Sequence, residues 1–246
     1  MSAGQACTKG RAHSGAVMYP AGDCALAVEF GQAILPELND KVHALAGSLR
    51  QKPVAGINGL VPSYASLLVY FDPLKISSRA LAARIKRRLA KLSRTGRTAG
   101  KTVRIPVCYE GAFSPDMENV SQHTGLSPAE IIERHSKPVY RIYMMGFLPG
   151  FPYLGGLDPV LETPRLANPR TVVPAGAVGI GGFQTGIYPL DSPGGWQLIG
   201  RTPLRPWDPY RAEPFLYQSG DNIVFYPVNT AEYERIAVSH GGGTWD

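Results

Sequence analysis

The sequence predicts an α+β protein in two parts, a small mixed domain followed by an all-β barrel or sandwich. Three observations carry this. Residues 16–95 alternate strand-like and helix-like apolar periods in the order β-β-α-β-β-α. A polar, cation-rich break follows. Beyond His135 the chain becomes short apolar runs separated by glycine and proline, the pattern of many short strands.

Residues 1–15 are small and polar with little to bury, which predicts a disordered leader. "AVMYP" and "ALAVEF" read as strands joined by the turn "AGD". Leu38, Val42, Leu45 and Leu49 recur at i, i+4, i+7 and i+11, placing them on one face of a helix that starts near Pro36. "VAGINGLV" and "ASLLVYF" read as two further strands around "PSY". A second helix follows, with Ser78 as the expected N-cap and Leu81, Ile85, Leu89 and Leu92 on the buried side. The two helices are expected on one face of an antiparallel sheet.

Residues 16–95 thus form the first domain, with 96–101 as linker within the polar stretch "SRTGRTAGK". Residues 102–230 form the second domain and 231–246 a tail. "TVRIPVCY" opens the second domain as a strand, and Thr124-Gly125 closes a short helix. "SPAEIIERH" then carries a capping box, with Ser127 as cap, Pro128 in the first turn and Glu130 reaching back. The later strands are expected in "VYRIYMM", "TVVP", "AVGI", "GIYPL", "WQLIG" and "NIVFYPV".

Composition narrows the function. The chain has 246 residues, 44% of them hydrophobic, and a formal net charge of +6. Ten Lys and Arg with no acid fall in residues 79–104, so the rest of the chain carries −4. The basic helix has three readings: a solvated face, a dock for an acidic protein partner, or a nucleic-acid contact. No aromatic residue is interleaved for base stacking, and no helix-turn-helix accompanies it, so nucleic acid is not expected as a partner. Cys7, Cys24 and Cys108 are widely spaced without a zinc-binding pattern, so no metal site is expected. That usage suits a reducing cytoplasm. No apolar run approaches the length of a membrane span, so no membrane association is expected.

No phosphate-binding GxxxxGK[ST] loop occurs, and no GxSxG elbow. "GAVGIGGFQ" places Gln184 where a dinucleotide fingerprint requires glycine. Any ATP chemistry therefore points to a partner chain. Cys108, among apolar neighbours, reads as a small buried hydrophobe or as a nucleophile. His135 ends the capped helix, where an imidazolium can meet the helix dipole, or it can serve substrate or proton work.

The richest stretch is 146–204. "GFLPGFPYLGGLDP" pins aromatic rings between turns, and Arg165 and Arg170 each follow a proline. "GGFQTGIYPLDSPGGWQLIGRTPL" puts six glycines and three prolines beside Gln184, Thr185, Tyr188, Trp196 and Arg201. Glycine permits close approach of backbone N–H groups to a ligand, and proline stiffens the loop. Gln and Thr can bond a small amide, and an arginine fork can hold a carboxylate. No set of catalytic residues is complete.

These same stretches carry a resemblance. "GFLPGFPYLGGLD", "VPAGAVGI", "QTGIYPLDSPGGWQLIGRTP" and "GDNIVFYPV", with "YPAGDCALAVEFG", "VPSYASLLVYFDP" and "HSKPVYRIYMMGF" upstream, resemble the B subunit of bacterial ATP-dependent 5-oxoprolinase. That family is also called allophanate hydrolase subunit 1 and includes sporulation-kinase inhibitors. The resemblance covers residues 17–228. It implies that the second domain is a cyclophilin-like β-barrel, and that the chain pairs with a homologous C subunit and acts with an A subunit. The implied reaction is the ATP-driven opening of 5-oxoproline to glutamate.

A five-membered lactam resists water, and phosphorylation of its amide oxygen supplies a leaving group. ATP would be bound mainly by a partner chain of the complex. The expected ligand set is Arg201 or Arg170 for the carboxylate and Gln184 or Thr185 for the lactam, with Tyr188 and His135 alongside. A histidine-kinase regulator and an accessory part of a biotin-dependent urea carboxylase are the alternatives. The chain departs from the family where it reads "YEGAFSPDM" for a glycine-rich YGGE-x-GPDL, and at Ala177 and Phe183, where polar residues are usual.

Overall fold

The computed structural model describes residues 12–92 and 100–239, with the backbone alone for 12–14. The chain divides into two compact units, 1–99 and 100–246.

In the first unit, strands β1 (Ala12–Pro20), β2 (Ala25–Gly31), β3 (Ile57–Pro62) and β4 (Ser66–Phe71) form one antiparallel sheet in the order β1-β2-β4-β3. Strand β1 begins inside the stretch expected to be a leader, of which residues 1–11 lie outside the described residues. Helices α1 (Pro36–Gln51) and α2 (Ser78–Leu92) complete the unit. Leu38, Val42, Leu45 and Leu49 are all buried and pack with Leu81 and Ile85 against Val28, Leu67 and Val69 of the sheet. Burying these side chains contributes about 1.5–3 kcal/mol each, and this drives the helices onto the sheet. Asn39, also buried, donates from Nδ2 to the carbonyls of Ser63 and Tyr64, which fastens α1 to the β3–β4 turn.

The N-cap of α2 is one residue earlier than expected. Ser77 Oγ accepts from Ala80 N at 3.2 Å, and the Ser77 carbonyl accepts from Leu81 N. Ser78 is already helical. Two adjacent serines satisfy the capping preference equally in sequence, and only the backbone geometry separates them.

The second unit begins with β5 (Thr102–Cys108), a short 3-10 turn at Gly111–Phe113, and helices α3 (Met117–Thr124) and α4 (Pro128–Ser136). Gly125 closes α3 in the left-handed conformation, with φ of 72°. The capping box of α4 is complete, with Ser127 and Glu130 each bonding the other's backbone. Strands β6 (Tyr140–Met145), β7 (Pro152–Gly155), β8 (Arg170–Val173), β9 (Ala177–Gly181), β10 (Gln184–Ile187), β11 (Ser192–Gly194), β12 (Gln197–Arg201) and β13 (Asn222–Val228) follow. Helix α5 (Thr230–Ser239) ends the described chain, so much of the expected tail is helical.

Seven strands close a cyclophilin-like barrel in the order β10-β7-β6-β13-β5-β12-β9, and β8 pairs with β11 as a separate two-stranded ribbon. The pairing of β5 with β13 is parallel and runs unbroken from Thr102↔Asn222 to Cys108↔Val228; the other barrel pairs are antiparallel. Ile105, Val107, Ile142, Leu154, Val178, Ile180, Ile187, Ile199 and Phe225 fill the interior. Cys108 is fully buried beside Val228 and Tyr233, as a small hydrophobe would be.

Candidate functional site on the barrel wall

Residues 181–204 supply β10, β11 and β12, and pleating sorts their side chains. Thr185, Ile187 and Ile199 are buried on the inner face, while Tyr188 and Leu198 join a second apolar cluster with Phe151, Val173, Ala177 and Trp196. Three glycines of β9 and β10 lie under Trp196. A Cβ on Gly181 would come 2.5 Å from its indole Nε1, one on Gly186 3.1 Å from Cζ3, and one on Gly179 3.2 Å from Cβ. The glycines therefore give close approach to a tryptophan of the same chain. Phe151 meets the indole edge-on at 5.5 Å and Tyr188 at 6.3 Å, and the Arg165 guanidinium lies 5.8 Å from the ring centroid.

Arg170 opens β8 opposite Gly194 of β11. Its Nη2 donates to Asp116 Oδ1 at 2.6 Å, and Asp116 Oδ2 accepts from Leu198 N at 2.6 Å. Asp116 stands at the N-cap of α3 but spends its carboxylate on these two donors rather than on the helix. Arg170 Nη1 is buried without a hydrogen-bond partner among the described residues, and so are Ser192 Oγ and Gln197 Oε1. Such groups cost free energy unless something pairs with them. Burial raises the pKa of the Tyr188 phenol, while a backbone hydrogen bond at Trp196 and the charges of Arg165 and Arg170 work against the rise. A neutral phenol, an aromatic wall and two guanidinium groups share this face.

His135 and Thr185 meet inside the barrel. His135 reaches in from the end of α4 and stacks on Phe225 with ring centroids 4.8 Å apart. Thr185 donates to the Gly179 carbonyl at 3.0 Å, so its oxygen accepts from His135 Nε2 at 2.8 Å. Nδ1 then accepts from the Tyr109 hydroxyl at 2.8 Å. Burial lowers the His135 pKa to about 3 and raises that of Tyr109 well above its usual value. The ring is neutral, which replaces the expected imidazolium at the helix end. Tyr140 Oη caps the His135 carbonyl instead, at 2.7 Å.

The remaining expected ligands are dispersed. Gln184 starts β10 opposite Gly181, next to the exposed Phe183. Arg201 ends β12 and donates from Nε to the Ala175 carbonyl at 2.8 Å. Ala175 also borders a cleft of about 510 Å³ lined by Pro189, Leu190, Asp191, Arg205, Trp207 and Tyr210. The fold thus joins Arg170 to Tyr188, and His135 to Thr185, on opposite sides of the barrel wall. Asp116 and Tyr109 are absent from the residues expected on sequence grounds. Asp116 lies in "SPDM", at the N-cap of α3. Among the described residues, no group of three His, Cys, Asp or Glu side chains is placed to hold a metal, and no helix is long and apolar enough to cross a membrane.

Comparison with known proteins decides the family. The carboxyltransferase domain, subdomain C and D, matches residues 16–217. The B subunit of 5-oxoprolinase from Bacillus subtilis is 40% identical over 222 residues, which cover 86% of this chain and 92% of the relative. The chain belongs to the family of 5-oxoprolinase B subunits. The crystal structure of TTHA0988 matches with a TM-score of 0.75 and 38% identity, covering 83% of this chain and 40% of that one. The present chain thus spans two-fifths of TTHA0988. The urea carboxylase of Kluyveromyces lactis shares the fold, with a TM-score of 0.69 at 23% identity over 94% of this chain and 23% of that one. For this member of the 5-oxoprolinase B-subunit family, the stretch that carries the aromatic wall and Arg170 lies inside the matched region.

Proposed function

We propose that this chain is a non-autonomous subunit of an ATP-dependent 5-oxoprolinase, a hydrolase completed by a homologous C subunit and by an A subunit. The carrying observation is Arg170, whose Nη2 is anchored on Asp116 while the buried Nη1 keeps a donor to spare. A guanidinium held on one side by a carboxylate presents its remaining N–H groups in a fixed direction, as recognition of a second carboxylate requires. In this reading Arg170, supported by Arg165, takes the carboxylate of 5-oxoproline. Tyr188 and Trp196 wall the ring, and Gln184 and Arg201 border the approach from the partner chain. His135 and Thr185 hold β10 from within rather than touch the ligand.

ATP bound on the partner would transfer its γ-phosphoryl group to the lactam oxygen, releasing ADP. Water then adds at the activated carbon and the ring C–N bond breaks to give γ-glutamyl phosphate, which a second water hydrolyses to glutamate and phosphate. The cationic wall suits such an anionic intermediate. An accessory role in carboxyl transfer is the second reading, favoured by the carboxyltransferase description of the matching family.

The test is reconstitution with the A and C subunits and measurement of 5-oxoproline-dependent ATP hydrolysis. Activity is expected only with all three, and Arg170→Lys should raise KM for the lactam by at least about tenfold while the complex still assembles. An assembled complex without lactam-stimulated ATP hydrolysis overturns the reading.

A further inference from the structure

A second site lies in the first unit, where the C-terminal end of α1 meets the second half of α2. A cleft of about 680 Å³ is lined there by Lys52, Arg84, Arg87, Arg88 and Lys91, with Pro53, Val54 and Leu92 as an apolar wall and, among the described residues, no carboxylate. Its volume falls within the range of small-molecule sites, roughly 300–1,000 Å³.

One of the five cations has a structural task. Arg88 Nη1 donates to the carbonyls of Ser48 and Lys52, at 2.5 and 2.7 Å, and so caps the end of α1. The others do not share it. Among the described residues, the side chains of Arg84, Arg87 and Lys91 make no hydrogen bond or ion pair. They sit at i, i+3 and i+7 of α2, and like charges at helical spacing oppose helix formation. Solubility does not require such clustering, because charges of both signs spread over a helix serve it as well.

We propose that this cleft binds an oligophosphate, either a nucleoside polyphosphate or an inorganic chain such as tripolyphosphate. Arg84 and Lys91 are about 10 Å apart along the helix axis, the scale of an extended triphosphate. Arginine forks suit phosphate oxygens, and Lys52 supplies a point charge beside the α1 end. Pro53, Val54 and Leu92 give an organic moiety a surface to rest on. A nucleic-acid strand is disfavoured because, among the described residues, no aromatic side chain lines the cleft for a base to stack on.

The experiment is calorimetric titration of the full chain with tripolyphosphate, ATP, orthophosphate and a single-stranded oligonucleotide, at about 50 and 200 mM salt. Arg84→Ala/Arg87→Ala is compared with Arg79→Ala/Lys86→Ala, which removes the same charge from the same helix outside the cleft. Tripolyphosphate should bind more tightly than orthophosphate. The cleft variant should lose about tenfold or more in affinity, and the control less than about twofold. Tighter binding of ATP than tripolyphosphate assigns the nucleoside source, and equal binding assigns the inorganic one. Equal loss in both variants, no binding by the wild-type chain at low salt, or preference for a single-stranded oligonucleotide overturns the proposal. The readout is binding alone, so its failure leaves the lactam reading untouched.

Discussion

Trp196 rests against the bare backbone of Gly181, so near that a single added methyl group would stand 2.5 Å from the indole nitrogen. Gly181→Ala must therefore displace the ring. We expect a loss of about 1–3 kcal/mol in denaturant unfolding, with a red shift of tryptophan emission. Gly47→Ala is the opposite case. Gly47 lies in α1 with nothing within 4 Å of the added carbon, and its substitution should raise stability by about 0.5–1 kcal/mol. If both changes act alike, steric contact at the tryptophan seat is not what the glycine serves.

His135 ties stability to acid. Its native pKa of about 3 lies below the ordinary 6.5 because the ring is buried. Below pH 6.5 the unfolded chain takes up a proton that the native chain refuses until about pH 3. Stability should accordingly fall as pH drops through that window, by roughly 4–5 kcal/mol from this group. His135→Gln should be less stable at pH 7 yet lack this component, seen as a shallower dependence of unfolding free energy on pH between 6.5 and 3. An unchanged slope would refute a buried neutral imidazole.

The Arg170–Asp116 pair should be asymmetric under substitution. Asp116 is buried and serves both Arg170 and the Leu198 amide, so Asp116→Ala leaves two donors without a partner. A cost of about 3–5 kcal/mol is expected. Changing both residues, Asp116→Ala with Arg170→Met, should cost less than the sum of the single changes. Strict additivity, read in a double-mutant cycle, contradicts the pairing.

At the start of α2, Ser77→Ala should cost about 1 kcal/mol, and Ser78→Ala only a few tenths. Thermal unfolding of the two variants ranks them. Reversal of that order would move the cap back by one residue.

The elements legible in the sequence are those with long, uninterrupted periodicity. The spacing from Leu38 to Leu49 fixes α1, because an apolar face repeated over three turns has no other use in a chain of this class. The capping box at Ser127 and Glu130 is equally legible, since both partners are close in sequence. Short strands are harder: β7 and β11 contain four and three residues, too few for an alternating pattern. The site is legible in composition only. Tyr188, Arg170, Gln184, Thr185, Arg201 and His135 stand out as polar groups gathered near glycine and proline. Which of them face inward depends on strand register, and a one-residue shift reverses the answer. Asp116 is hidden because its partner lies 54 residues away.

The parallel pairing of β5 with β13 has a consequence for how the chain is made. Thr102 finds its neighbour at Asn222, 120 positions later. Translation proceeds at about 5–20 residues per second, so β5 emerges from the ribosome roughly 6–24 seconds before the strand that shields its edge. During that interval an apolar strand, "TVRIPVC", lacks this partner, and until residues 197–201 are made it lacks its other neighbour, β12, as well. Premature release of the nascent polypeptide anywhere before residue 222 would strand it in that condition, and molecular chaperones would be the first to meet it.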